Sequence, residues 1–399
     1  MNVLFICDEY PPGKNGGIGS MVQSLARELV RSGHRSFVAG LYDYSYGEKE
    51  HEVDKGVMVW RLRYGYRSLS HGLAGKIYQK LPAAIKRKLN GSRAHEAFVR
   101  FVEALIDREK IDVVEMPDWN SYAYTLQPET VWRKLNAPLV LKFHGSYSYF
   151  RNELGWTQKP DWEKLDEQLV RRADALAAVS DYTAQRNREV MKTRKAVAVL
   201  YNGIDVPPPI QRKESATPLV VFSGTLIPKK GIFQLMKAWN LVIQKRPDAR
   251  LLVYGKGKKE QSESYLGPEA RNTVSFEGHV SRDVLMESLS KATLAAFPSY
   301  SETFGIMCIE AMSRGCPVIY TRRSCGPEIA VHKQEALLVD PDDLPELSGA
   351  ILELIENVSL RQKLSEQAYQ SVNNRFNIKV IAQKHIEFYS TVIHNFGQR

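Results

Sequence analysis

The sequence predicts an α/β protein of two Rossmann-like domains, and three observations carry that reading. Short β-rich runs alternate with longer helical patterns up to residue 205; a proline- and charge-rich break, VPPPIQRKESATP, follows at 206–218; the alternation then restarts with LVVFSG at 219–224. Strand–helix alternation is the pattern of βαβ units on a parallel sheet, and a polar, proline-rich interruption marks the passage from one domain to the next. With 399 residues, 43% of them hydrophobic, the chain supplies two cores of ordinary size.

In the first half, VLFI (3–6), SFVAGL (36–41), DVVEM (112–116), PLVLKF (138–143) and ALAAVS (175–180) read as buried strands, whereas SMVQSLARELVRSG (20–33) and 94–108 place apolar residues at helical spacing. The second half repeats the rhythm with ARLLVYG (249–255), TVSFEG (273–278), LAAFPS (294–299), PVIYT (317–321) and ALLVD (336–340). Beyond Phe376 a final helix carries Ile381, Phe388, Val392 and Phe396 as one apolar stripe, suited either to cap its own domain or to cross back to the first.

The opening MNVLFICDEY lacks a basic lead and meets acids and prolines early, so it reads as a first strand and not as a signal peptide. No apolar run reaches the roughly 18 residues of a membrane span. Cys7, Cys308, Cys316 and Cys325 form no CxxC pair, which points away from a zinc site or disulfide framework and toward a reducing cytoplasm. Lys and Arg exceed Asp and Glu by 55 to 45, a net +10 that attracts phosphates, nucleic acid or anionic lipid. No basic run with interleaved aromatics offers a nucleic-acid recognition geometry. The basic segment HGLAGKIYQKLPAAIKRKLNGSR (71–93) reads either as a solvated helix or as one that docks on a membrane surface or acceptor.

The stretch SETFGIMCIE (301–310) sets Glu302 and Glu310 in a small, apolar surround. LAAFPS reads as a strand, and FGIMCIEAMSRG as a helix stopped by Gly315 with Pro317 beyond. Glu302 then lies at a strand's carboxyl end beside the N–H groups of Thr303, Phe304 and Gly305, which with the helix dipole make an anion site. Glu310 falls about two turns deeper, where a carboxylate is costly unless donors reach it. Two ribose hydroxyls are such donors, and the phosphates of the same nucleotide would then reach the helix start. On the residues alone, Glu310 paired with a base such as Arg314, and Glu302 as an ordinary N-terminal acid, stay open.

Ligands of open α/β sheets bind outside the carboxyl ends of the strands, and several unusual loops fall there. SGTLIPKKG (223–231) sets Lys229 and Lys230 just ahead of a helix, where a lysine charge suits a diphosphate unless the pair is merely solvated. EYPPGKNGGIGS (9–20) follows the first strand, and its Gly16, Gly17 and Gly19 would let a backbone approach a ligand, although the spacing is not the GxGxxG fingerprint. KFHGSYSYF (142–150) ends a strand with His144, and VVEMPDW (113–119) brings Glu115, Asp118 and Trp119 to the same kind of edge. Asp340 and Asp342 form a literal DxD, but in a proline turn before a helix, without the strand-end setting a catalytic metal needs.

In their order, PPGKNGGIG, FHG, YNGID (201–205), SGTLIPKKG, FEGHV (276–280), FPSYSETFGIMCIEAMSRGCPVI and SCGPEI (324–329) resemble the family 4 glycosyltransferases, retaining enzymes of GT-B architecture. The likeness spans nearly the whole chain, and its E-x7-E element is the specific part. It implies two Rossmann-like domains facing across a central cleft: 1–205 for the acceptor, 206–377 for a nucleotide-diphosphate sugar, and 378–399 as a helix crossing back to the first. Carried over by position, Glu302 would bind hydroxyls near the reacting centre, with Thr303, Phe304 and Gly305 offering amides to the sugar and distal phosphate. Glu310 would hold the ribose, Lys230 the diphosphate, Val280 the base, and the Gly16–Gly17 loop would close over the phosphates. His144 would touch the donor sugar beside the acceptor, and Glu115, Asp118 and Trp119 would lie on the acceptor side. Many members carry arginine where this chain has Thr225, leaving either Lys229 as the second cation or a more weakly held donor. The implied activity is metal-independent transfer of a hexose, without a cofactor, to a glycan or lipid-linked glycan. The setting would be cell-surface polysaccharide synthesis, in the cytoplasm or at the inner membrane face. A small-metabolite acceptor and a non-catalytic nucleotide-sugar binder are the alternatives.

Overall fold

The computed structural model describes residues 1–398 apart from 13–15, 44–45, 47, 65–75, 78–79, 82–84, 86–91, 127–131, 210–211 and 213–214. Two compact units divide the chain: Met1–Gly203 together with Ile378–Arg399, and Ile204–Asn377. Most of 71–93, including its reading as a docking helix, lies outside the described residues. Among the described residues no helix is long and apolar enough to cross a membrane, and the four cysteines are buried as free thiols.

The first unit is built on β1 (Asn2–Ile6), β2 (Arg35–Asp43), β3 (His51–Asp54), β4 (Val57–Tyr64), β5 (Val113–Pro117), β6 (Leu139–Phe143), β7 (Ala175–Ala178) and β8 (Val197–Val199). They lie in the order β3-β4-β2-β1-β5-β6-β7-β8, parallel except for the β3–β4 hairpin at one edge. The central strands are buried on both faces, so they read as largely apolar runs, interrupted by Glu115 in β5 and Lys142 in β6. Its helices are α1 (Gly17–Arg31), α2 (Ser92–Glu109), α3 (Ser121–Leu126), α4 (Tyr147–Leu154), α5 (Pro160–Arg172) and α6 (Asp181–Val190). In α1, Val22, Leu25, Ala26 and Leu29 share one face and pack on the sheet. The terminal helix, Ile378–Gly397, adds Ile378, Ala382, Tyr389 and Val392 to that same apolar layer.

The second unit carries β9 (Leu219–Ser223), β10 (Arg250–Tyr254), β11 (Val274–Gly278), β12 (Leu294–Phe297), β13 (Val318–Thr321) and β14 (Leu337–Val339) in the order β11-β10-β9-β12-β13-β14. All these pairings are parallel. The helices α7 (Ile232–Lys245), α8 (Arg282–Lys291), α9 (Ile306–Ser313), α10 (Leu344–Glu356) and α11 (Val358–Arg375) complete it, short turns aside. In both sheets the strand order reverses beside the first strand, between β1 and β5 and between β9 and β12. Such a reversal parts the connecting loops and leaves a crevice at the strands' carboxyl ends.

Candidate functional site: two strand-end crevices

In the second unit, the chain leaving β9 runs over the end of β10 and into a single 3-10 turn, Pro228–Lys230. Gly224 donates its N–H to Tyr254 O at 3.0 Å. The turn ends at Gly231, whose φ of 70° and closeness to Pro298 O, 1.8 Å from where a Cβ would sit, admit only glycine. That close approach seats the lysine turn against the end of β12, and Tyr300 N–H locks it by donating to Lys229 O at 2.8 Å. Lys230 Nζ then meets Glu302 Oε1 at 2.7 Å. Ser299 Oγ donates to the same oxygen at 2.8 Å, while Glu302 N–H donates to Ser324 Oγ at 3.0 Å. Two motifs distant in sequence therefore converge at the switch point of the sheet.

Burial alone would push the Glu302 carboxyl up, but Lys230, Lys229 and the Ser299 hydroxyl outweigh it and hold it below its ordinary value. The pair is ionised yet reachable, with side chains 28% and 13% exposed. Thr303 and the buried Phe304, edge-on to Phe376 at 5.5 Å, lead to Gly305 at φ 80°. A Cβ on Gly305 would lie 1.8 Å from Tyr320 Oη. This left-handed residue makes α9 start at Ile306, later than the apolar run suggests. Thr225 is exposed on the lysine loop, and Val280 is half-buried ahead of α8.

Glu310 is buried on α9, as its setting in the sequence predicts. Its base is Arg282, not the Arg314 that spacing suggested: Nε at 2.9 Å and Nη2 at 2.7 Å both reach Oε1. Arg282 opens α8 just after the cap Ser281 and is 56% exposed, so the ion pair lies at a surface and is not sealed in the core. Asp340 and Asp342 are both gripped by Arg323 Nη2, at 2.7 and 2.8 Å, and Tyr300 Oη donates to Asp342. Those acids close a turn.

In the first unit the corresponding acids face inward. Asp8, at the end of β1, accepts Tyr122 N–H at 3.3 Å, and burial followed by Glu9 pushes it up to about 7. Gly16 and Gly19 make room for Glu9: a Cβ would lie 2.1 Å from Glu9 Oε2 in one case and 1.9 Å from Glu9 O in the other. At Gly17 nothing among the described residues comes within 4 Å. Asp118 accepts His144 N–H at 2.8 Å and Gly145 N–H at 3.1 Å, with burial raising it to about 7. Its carboxylate thus holds the turn that presents His144. Trp119 is half-buried against Tyr124 at 4.6 Å. Glu115 is buried and accepts Tyr389 Oη–H at 2.6 Å. Asp166, absent from the sequence reading, accepts Ser148 N–H at 2.8 Å and Tyr124 Oη–H at 2.5 Å, fixing the start of α4. Arg282, Ser299 and Ser324 were also missed. The signals were positional: Ser299 and Ser324 lie in the FPSYSETF and SCGPEI elements, and Arg282 is a base just beyond FEGHV.

Comparison with known proteins gives the family and the fold. The model of Glycosyltransferase Family 4 matches residues 15–207 and that of Glycosyl transferases group 1 matches 207–371, meeting at the proline-rich break. A GDP-mannose-dependent monoacylated alpha-(1-6)-phosphatidylinositol monomannoside mannosyltransferase of Corynebacterium glutamicum is 26% identical, over 64% of this chain and 74% of that one. Glycogen synthase of Mycobacterium tuberculosis is 23% identical over 98% and 94%. Among solved structures, sucrose-phosphate synthase from Thermosynechococcus elongatus shares the fold with a TM-score of 0.75, at 18% identity over 99% of both chains. The chain belongs to the family 4 glycosyltransferases and has their GT-B fold. It is a glycosyltransferase.

Proposed function

We propose that this glycosyltransferase moves a hexose from a nucleotide-diphosphate sugar to a glycan or lipid-linked glycan, with retention at the anomeric carbon and without a metal. The observation that carries the reading is the Lys230–Glu302 contact of 2.7 Å at the β9–β12 switch point. It puts side by side, ahead of α9, a cation that would serve the diphosphate and an acid that would serve sugar hydroxyls. Lys229, Lys230 and the amides of Thr303, Phe304 and Gly305 would supply positive charge where the leaving diphosphate gains negative charge. Glu310 and Arg282 would take the ribose and its neighbourhood, Val280 the base, and Thr225 the rim of the lysine loop. In the first unit, the acceptor side, His144 would meet the sugar, the Gly16–Gly17 loop the phosphates, and Glu115, Asp118 and Trp119 would shape the acceptor's surroundings.

Retention by double displacement would need a carboxylate poised as nucleophile with a second acid nearby. One oxygen of Glu302 already accepts from both Lys230 and Ser299, which suits binding better than attack. A same-face substitution asks less of the protein. The C1–O(phosphate) bond breaks with its electrons going to the phosphate, the acceptor oxygen bonds to C1, and the acceptor proton passes to the departing phosphate oxygen. A glycan or glycolipid acceptor is favoured because relatives named for glycogen and for a phosphatidylinositol mannoside align over most of this chain. The cytoplasm or the inner membrane face is the proposed place of work. Glu302→Gln, folded as judged by circular dichroism, is expected to lower transfer at least a hundredfold. Unchanged turnover would remove the role given to Glu302.

A further inference from the structure

Lys142 lies near the carboxyl end of β6, 3% exposed, where an apolar residue would be cheaper to bury. Alternate residues of a strand share a face, and Val140, two positions earlier, packs with Ile378, Ala382 and Tyr389 of the terminal helix. Two positions later comes His144, which lines the same small cavity as Lys142, Glu115 and His385. Lys142 Nζ stands 2.9 Å from His385 Nε2. His385 Nδ1 stands 2.8 Å from the carbonyl of Ile381. A carbonyl can only accept, so Nδ1 carries the proton, Nε2 offers its lone pair, and Lys142 is the donor. One turn further along the helix, Tyr389 donates to Glu115 at 2.6 Å. The helix thus brings a neutral acceptor to the cation and a donor to the anion beside it.

We propose that Lys142 is a positioning residue for glycosyl transfer, an interior cation bonded to His385 and sharing its cavity with Glu115, that fixes the His144 imidazole at the edge of the sheet. The inference rests on the reading of His144 as the group that meets the donor sugar. The titratable groups facing Lys142 are Glu115 from β5, His144 from its own strand, His385 and, through Glu115, Tyr389 from the terminal helix, and Tyr201 after β8. From α1 come only apolar side chains. Burial first, and then the Lys142 charge, hold both His144 and His385 well below the ordinary imidazole value. His144 is therefore kept neutral, able to exchange hydrogen bonds with a hydroxyl.

The test is a double-mutant cycle on the full chain, with release of nucleoside diphosphate from UDP-glucose or GDP-mannose as the assay. Lys142→Met is expected to fold, to lower kcat at least tenfold with KM for the donor within threefold, and to move the acid limb of the kcat/KM profile to higher pH. Combined with His144→Ala, it should cost nothing beyond His144→Ala alone. Losses that multiply, or a Lys142→Met enzyme with wild-type kcat and pH profile, overturn the proposal. A fully active His144→Ala sinks instead the reading on which it rests, and the proposal with it. Should Lys142→Met not fold, His385→Gln, which keeps an acceptor, is expected to stay near wild type while His385→Leu loses tenfold; equal rates for the two overturn the proposal. Independently of any donor, NMR titration of labelled histidines should show His144 protonating at higher pH in Lys142→Met, or in Lys142→Gln if that is the variant that folds. Superimposable curves contradict it.

Discussion

At the switch point of the second sheet a lysine and a glutamate face each other within reach of solvent, whereas at that of the first the acids are turned onto backbone amides. Lys230 and Glu302 bond side chain to side chain. Asp8 and Asp118 instead hold the N–H groups of Tyr122, His144 and Gly145. The electrostatics follow the geometry. Neighbouring lysines keep Glu302 below its ordinary value, while burial lifts Asp8 and Asp118 to about 7. The same fold thus makes a charged, exchangeable site in one unit and a scaffold that presents His144 in the other.

The comparison breaks most readily at Lys230. Lys230→Ala should lower transfer about a hundred- to a thousandfold, the loss typical of a group that stabilises developing charge, while Lys229→Ala should cost about tenfold; steady-state kinetics decides. Next in size, Asp118→Ala leaves one buried backbone donor, Gly145 N–H, and one part-buried donor, His144 N–H, without their acceptor. It should destabilise the fold by about 2–4 kcal/mol in urea unfolding, at about 1–3 kcal/mol per buried unsatisfied group, and displace His144. If Asp118→Ala lowers activity while leaving stability untouched, the scaffold role is wrong.

Gly231→Ala should cost about 1–3 kcal/mol for its left-handed backbone alone, with Pro298 O adding to that. Gly17→Ala, with open space around it among the described residues, should change stability by less than about 0.5 kcal/mol. A smaller effect separates the acids by pH. Glu302 is held below 4.5 in the folded chain, so its contribution to stability is present above pH 4.5 and lost as pH falls through the folded value. In Lys230→Met the two lowering contributions of that lysine are lost, and the acid-side contribution of Glu302 shrinks. Urea unfolding between about pH 3 and 6 should therefore show a shallower acid-side slope in the variant. Parallel slopes would mean that Lys230 does not set the state of Glu302.

Much of the second unit's site was legible because its chemistry is local in sequence. Lysines ahead of a helix and acids around a strand end keep their meaning wherever the fold carries them. The partner of Glu310 was not legible, since Arg282 reaches it from another helix and no spacing rule links the two. Lys142 and His385 escaped for the opposite reason. They sit inside an apolar strand and an apolar helical stripe, where periodicity reports burial and hides a polar pair. The amide contacts of Asp118 were not legible, because a strand-end acid has the same pattern whether it faces a ligand or a backbone amide. The β3–β4 hairpin went unread because its first strand, HEVD, is half-exposed and charged.

The most direct test of a diphosphate site at Lys230 and Glu302 is isothermal titration of UDP, GDP, uridine and guanosine into the wild-type chain and Lys230→Met. Tighter binding of one diphosphate than of its nucleoside, with that advantage falling at least tenfold in the variant, about 1.4 kcal/mol, is the predicted result. Equal affinity of the diphosphate for both proteins would contradict it.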